Sequence, residues 1–263
     1  MPTFDTPQPI SARIEVAFGS VQVRASERTD TVVTVRPRNP RSSADVAAAA
    51  NALVDFAAGE LVVRSTGRPR LLFFPAGAEV DVDVALPEGS SVDVRTAAGG
   101  IVCTGRLGAV ELESTHGDLR LDQASALRAR TSTGGITAAA VDGEAEAHTS
   151  YGTVRVGQTA GPARLATGYG DITVDRALAS LTGRTKYGQV RVGQAVRGSL
   201  VLETGYGEVE AGVRAGTAAW LDVHSGGGRI RNLLDETGGP QDADETVEIH
   251  ARTSYGDVLI RRA

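Results

Sequence analysis

A glycine recurs through most of this chain at a nearly fixed interval. It stands at Gly99, Gly117, Gly134, Gly152, Gly170, Gly188, Gly207, Gly228 and Gly256, with successive spacings of 18, 17, 18, 18, 18, 19, 21 and 28 residues. The flanking segments are alike: THGDLRL (115–121), STGGITA (132–138), SYGTVRV (150–156), GYGDITV (168–174), KYGQVRV (186–192), GYGEVEA (205–211) and SYGDVLI (254–260). Such regularity means one supersecondary unit used many times.

Other columns keep step with the glycine. Two residues after it stands an aliphatic side chain: Ile101, Leu119, Ile136, Val154, Ile172, Val190, Val209, Ile230 and Val258. Two further on the column is again apolar, from Cys103 through Val156, Val174 and Val192 to Ile260, and only Asn232 breaks it. Three before the glycine is always a hydroxyl, as in Thr149, Thr167, Thr185, Thr204, Ser225 and Thr253. Alternation with period two is the signature of strands. Leu165 and Thr167 share one parity, whereas Ile172 and Val174 hold the other. Each unit is therefore two short strands joined at a corner, and the glycine supplies the backbone angles of that corner.

Identical positions at constant spacing predict in-register stacking. The expected fold is all-β, a parallel β-solenoid of about 18 residues per coil and a perimeter of roughly 60 Å. The alternative is an antiparallel β-sandwich with x-Gly turns. Ladders of like side chains favour the solenoid.

Residues 1–90 depart from the period and are expected to form an N-terminal β-rich cap. Within them ARIEVAFGSVQVRAS (12–26) is one recognisable unit, with Phe18-Gly19 at its corner. The Ala-rich stretch near 43–52 predicts a short helix, with Ser43 and Asp45 as capping residues. Segments 31–37, 53–65 and 78–86 read as strands or a hairpin. The repeat array then runs over 91–263. It is interrupted by an acidic loop at 233–246 that carries Asp235, Glu236, Asp242, Asp244 and Glu245. The array closes on VLIRRA, where Arg261 and Arg262 are charges of a kind that blunts a sheet edge.

Composition narrows the function. Apolar residues make up 41% and charged residues 22%, enough for a core, and the net charge of −5 comes with both signs interspersed. With no basic stripe, nucleic-acid binding is not expected. No apolar run reaches the ~20 residues of a membrane span. Met1 to Ser11 has neither a basic nor an apolar leader segment, so a cytoplasmic location is expected. Cys103 is the single cysteine and reads as a small core residue.

Candidate sites are few. All five tyrosines, Tyr151, Tyr169, Tyr187, Tyr206 and Tyr255, occupy the position before the glycine. They form either a structural ladder of stacked rings or an exposed aromatic strip for a glycan, peptide or partner. The acids after the glycine, Asp118, Asp171, Glu208 and Asp257, are expected to cap turns rather than hold calcium. His116, His148, His224 and His250 show no metal spacing. No catalytic motif is present, and neither cofactor nor metal is expected.

The segments TSYGDVLI, TGYGDITV and TKYGQVRV resemble the bacterial putative-adhesin family of β-strand repeat proteins, a domain of unknown function. FDTPQPISARIEVAFGSVQV and VALPEGSSVDVRT are similar to actinobacterial members. The resemblance covers nearly the whole chain and implies a β-repeat fold. In kind it is also similar to the bactofilins, β-solenoids that polymerise end to end. The expected role is a non-enzymatic scaffold or protein-interaction module with a protein partner or self-association. The alternative is a carbohydrate- or ligand-binding module that uses the tyrosine column.

Overall fold

The computed structural model describes residues 1–65, 77–234 and 245–263. The chain divides into two compact units, Met1–Thr133 and Gly134–Ala263. Apart from one short helix, the regular structure among the described residues is β-strand. Each unit is a parallel β-solenoid, in which strands pair layer on layer rather than as an antiparallel sandwich.

In the N-terminal unit the strands are β1 (Thr3–Asp5), β2 (Ser11–Phe18), β3 (Val21–Ser26), β4 (Asp30–Pro37), β5 (Leu53–Ala57) and β6 (Glu60–Ser65). They continue with β7 (Val80–Pro87), β8 (Ser91–Ala98), β9 (Ile101–His116) and β10 (Leu119–Thr133). One ladder runs β6–β2–β8 and on through the second half of β9. The other runs β7–β3 and on through the first half of β9. All of these pairs are parallel, so the segment 12–26 is a true coil. The layer formed by β6 and β7 stacks beneath that coil although it follows it in the chain.

Antiparallel strands finish this unit. β5 pairs with β6, β4 with β7, and β1 with β4. The rings of Phe4 and Phe56 meet at 5.2 Å. Helix α1 (Ser43–Ala50) is capped by Ser42 rather than Ser43, because the Ser42 hydroxyl accepts from the Asp45 amide and donates back to its carboxylate. The Ser42 side chain thus satisfies one of the free amides of the first turn, as an N-cap does. Burial works to raise the Asp45 carboxyl. Hydrogen bonds from Ser42 and from the amides of Asn39 and Glu79 outweigh it and hold the group below the usual carboxylate range.

The C-terminal unit holds β11 (Ile136–Val141), β12 (Ala145–Tyr151), β13 (Val154–Thr159), β14 (Ala163–Tyr169), β15 (Ile172–Ala177), β16 (Leu181–Tyr187) and β17 (Val190–Ala195). It continues with β18 (Gly198–Tyr206), β19 (Val209–Val213), β20 (Ala218–Ser225), β21 (Ile230–Asn232), β22 (Thr246–Tyr255) and β23 (Val258–Arg262). One parallel ladder is β12–β14–β16–β18–β22–β20. The other is β11–β13–β15–β17–β19–β23–β21. Here too the spatial order departs from chain order. The layer 246–262 lies between 198–213 and 218–232, so the segment VLIRRA is an interior strand and not the edge that its position in the chain suggested.

The columns become the core. Val154, Ile172, Val190, Val209 and Val258 follow one another through the stack, all buried. Burial of each such side chain stabilises by roughly 1.5–3 kcal/mol. At the corner, a Cβ on Gly170, whose φ is +141°, would stand 2.1 Å from the carbonyl oxygen of Gly152. Neither the space nor the dihedral admits a side chain. The hydroxyl column closes the same corner. Thr167 donates to Gly152 O at 2.9 Å, Thr185 to Gly170 O at 3.0 Å and Thr204 to Gly188 O at 2.8 Å. Thr253 reaches Gly207 O at 3.0 Å and Ser225 reaches Gly256 O at 2.8 Å, which follows the spatial order of the layers.

Candidate functional site: an exposed tyrosine ladder

The backbone places one tyrosine per layer directly above the last. Register pairs Tyr151 with Tyr169, Tyr169 with Tyr187, Tyr187 with Tyr206 and Tyr206 with Tyr255. Ring centroids are 5.0, 4.8, 5.0 and 5.0 Å apart, and neighbouring planes diverge by no more than 9°. That spacing is close to the separation of paired strands. The ladder and the exposed strip are thus one object. Every ring stacks, and every ring is also exposed, by 46% at Tyr187 and 60% at Tyr255. Because the flat faces cover one another, the strip offers mainly ring edges and hydroxyls.

Two of the acids after the glycine, Asp171 and Asp257, cap corners. Asp171 Oδ1 accepts from the Gln189 amide at 2.8 Å, and Asp257 Oδ1 accepts from the Arg229 amide at 2.9 Å. Among the described residues no three His, Cys, Asp or Glu side chains are grouped so as to hold a metal ion. The acidic residues Asp235, Glu236, Asp242 and Asp244 lie outside the described residues. Glu245 is described, and it pairs with Arg197 at 3.8 Å. Cys103 is buried, and its thiol is pushed up to about 12 by burial, with Asp122 adding to the effect. A thiol held protonated in this way is inert as a nucleophile.

A polar depression on the outer face of β13, β15 and β17 is lined by Arg155, Asp171, Thr173, Asp175, Gln189 and Arg191. Its arginines are engaged, Arg155 with Asp175 at 3.3 Å and Arg191 with Glu210 at 3.2 Å.

The structure assembles one cluster that the columns did not suggest. Register sets Asp222 beside His250 and Trp220 beside Glu248. His250 Nδ1 lies 3.2 Å from Asp222 and its Nε2 3.0 Å from Glu248. Arg252 also reaches Asp222, at 3.0 Å, and Trp220 meets the imidazole edge-on at 5.4 Å. The Asp222 hydrogen bond, helped by Glu248, raises the basicity of His250 against the effect of burial. The Asp222 carboxyl is correspondingly held below its usual range, first by His250 and then by Arg252. Both ring nitrogens are taken by carboxylates, so this imidazole is a poor proton acceptor for a substrate. The signal was present in the 28-residue interval between Gly228 and Gly256, which is also the offset from Asp222 to His250.

No family model matches this chain. No curated protein matches it either. It is similar to the solved structure of a putative adhesin from Bacteroides fragilis, at 11% identity over 100% of this chain and 95% of that one, with a TM-score of 0.45. A putative lipid binding protein from Parabacteroides distasonis is similar at 11% identity over 100% and 95% of the two chains, TM-score 0.41. A putative cell adhesion protein from Clostridium sporogenes is similar at 10% identity over 100% and 98%, TM-score 0.27. A likeness at these scores has no bearing on what the tyrosine strip does. Among the described residues no helix is long and apolar enough to cross a membrane.

Proposed function

We propose that this chain is a non-enzymatic interaction protein whose tyrosine strip is the contact surface for a protein partner. The observation that carries the reading is the ladder itself, five parallel rings held at fixed height and each about half exposed. Tyrosine edges and hydroxyls on a rigid wall lose little entropy on contact, and protein interfaces are enriched in them. Sugars stack on ring faces, and between rungs those faces are occupied, so a glycan laid along the strip is the less favoured ligand. The polar groups of the outer walls support the non-enzymatic reading, since Arg155, Arg191 and His250 are all committed to neighbouring carboxylates. The proposed compartment is the cytoplasm, in keeping with a single buried thiol and a fold tied together by hydrogen-bond ladders.

The test is capture from the native cell with wild-type protein and with the double variant Tyr169→Ala/Tyr187→Ala. The variant loses three ring contacts, each worth ~0.5–1.5 kcal/mol, and is expected to stay folded. A partner retained by wild type and lost by the folded variant supports the reading. An unchanged set of captured proteins overturns it, and a variant that unfolds assigns the rings to structure.

A second reading, self-association, is favoured by the layer 218–232, where Trp220 and Ile230 are 58% and 49% exposed, and by Leu233 just after it, at 62%. Light scattering over a concentration series checks it, and a strict monomer at high concentration counts against it.

A further inference from the structure

Among the described residues the stack runs one layer beyond the tyrosine ladder. Beyond Tyr255 lies the layer 218–232, in which Ser225 is in register with Thr253. The tyrosine column of that layer is therefore occupied by Gly227, which accepts a hydrogen bond from the Gly256 amide at 3.2 Å. A Cβ placed on Gly227 would stand 3.1 Å from Cδ1 and 3.6 Å from Cε1 of Tyr255. A side chain there would thus lie against the ring, and Gly226, Gly227 and Gly228 supply none. The two terminal rungs, Tyr255 at 60% and Tyr151 at 57%, are more exposed than the three interior ones at 46–50%, and of the two Tyr255 is the one that faces the glycine run.

We propose that this face of Tyr255, which no side chain of Gly226, Gly227 or Gly228 covers, is a docking step for an aromatic side chain of a protein partner, which would stand as the sixth rung. The inference rests on the strip being a protein-contact surface and names the group that the strip takes. Ladder geometry specifies the occupant: a flat ring, parallel to Tyr255 and about 5 Å above it, as at every other rung. The surroundings favour an aromatic group over a sugar. Recognition of a sugar needs polar groups placed to meet its hydroxyls. Here the Ser225 hydroxyl is spent on Gly256 O, and Asp257 is spent on the Arg229 amide and on Arg231 at 3.8 Å. The ring face of Tyr255 stands beside a run of glycine backbone, and that suits a group recognised by stacking.

NMR titration of the full chain tests this, with N-acetyl-tryptophanamide as the aromatic probe and methyl β-glucoside as the sugar probe. The aromatic probe is expected to shift the Tyr255 ring resonances upfield and to leave those of Tyr187 in place. Gly227→Phe, which supplies a sixth ring from the chain itself, is expected to weaken probe binding about tenfold or more. Should that variant misfold, Tyr255→Leu is expected to weaken it equally, since Tyr255 is an exposed terminal rung. Absence of a Tyr255 shift, equal shifts at all five tyrosines, or a response to the glucoside alone overturns the inference. Loss of the partner in Tyr169→Ala/Tyr187→Ala without any probe effect at Tyr255 would keep the strip and remove the sixth rung. Probe binding at Tyr255 with unchanged capture would keep the step and remove the strip.

Discussion

Ile172 and Ile230 hold the same place in their units, two residues past the corner glycine. Ile172 sits between two layers and is 1% exposed, whereas Ile230 sits in the last layer of the C-terminal unit and is 49% exposed. Both are isoleucines at the start of a parallel strand, six residues long at Ile172 and three at Ile230. They also differ in the layers packed against them: β15 pairs with both β13 and β17, and β21 pairs with β23. The N-terminal unit meets the same problem differently. Its out-of-order layer, β6 and β7, is followed by antiparallel strands β5, β4 and β1 and by helix α1. Among the described residues the layer 218–232 has no comparable cover. A layer in this fold takes its stability from its neighbours rather than from its own sequence.

The largest test of that contrast is at an interior corner. Gly170→Ala puts a methyl group into the carbonyl of Gly152 and forces an unfavourable φ. It is expected to destabilise the C-terminal unit by about 3 kcal/mol or more, as read from denaturant unfolding. Gly216→Ala has a positive φ of +80° but open space around it, and should cost clearly less.

The isoleucine pair sharpens the comparison. Ile172→Ala should cost about 2–5 kcal/mol, and Ile230→Ala about 1 kcal/mol or less. Equal losses in the same unfolding experiment would mean that the last layer is as well buried as the middle.

The smallest expected effect concerns how the last layer is held. Protonated His250 in β22 is bonded to Asp222 in β20, and its basicity is raised in the folded chain. A group of this sign contributes fully below the ordinary histidine range and loses its contribution as pH rises through the elevated folded value. Amide exchange in β20 should therefore speed up as pH climbs from about 6 to 9, beyond the intrinsic base-catalysed trend. In His250→Gln that extra dependence should vanish.

Much of this fold was legible because a parallel in-register stack repeats its own chemistry. The glycine marks the corner, the hydroxyl marks the bond to the layer below, and the aliphatic columns mark the interior. Stacking order was not legible, because Val258 and Ile230 suit the same column wherever their layers stand. The hints were the misfits. Asn232 in an apolar column and Gly227 in the tyrosine column both belong to the layer with one neighbour, where neither an apolar side chain nor a stacked ring is required. The five tyrosines were found by position, but their exposure follows from which side of the corner the backbone presents. The Asp222–His250 pair is not legible in the columns because it joins strands whose adjacency depends on that layer order.

The interleaving of 246–262 between two earlier segments also constrains how the molecule can be made. A nascent chain that has emerged only as far as residue 233 has produced the strands of its outermost layer before the surface on which they rest. Those strands must wait, unpaired, until the following stretch slides into place beside β18 and β19. Synthesis from the amino end can therefore complete the middle of the C-terminal unit progressively, whereas its last two layers set together.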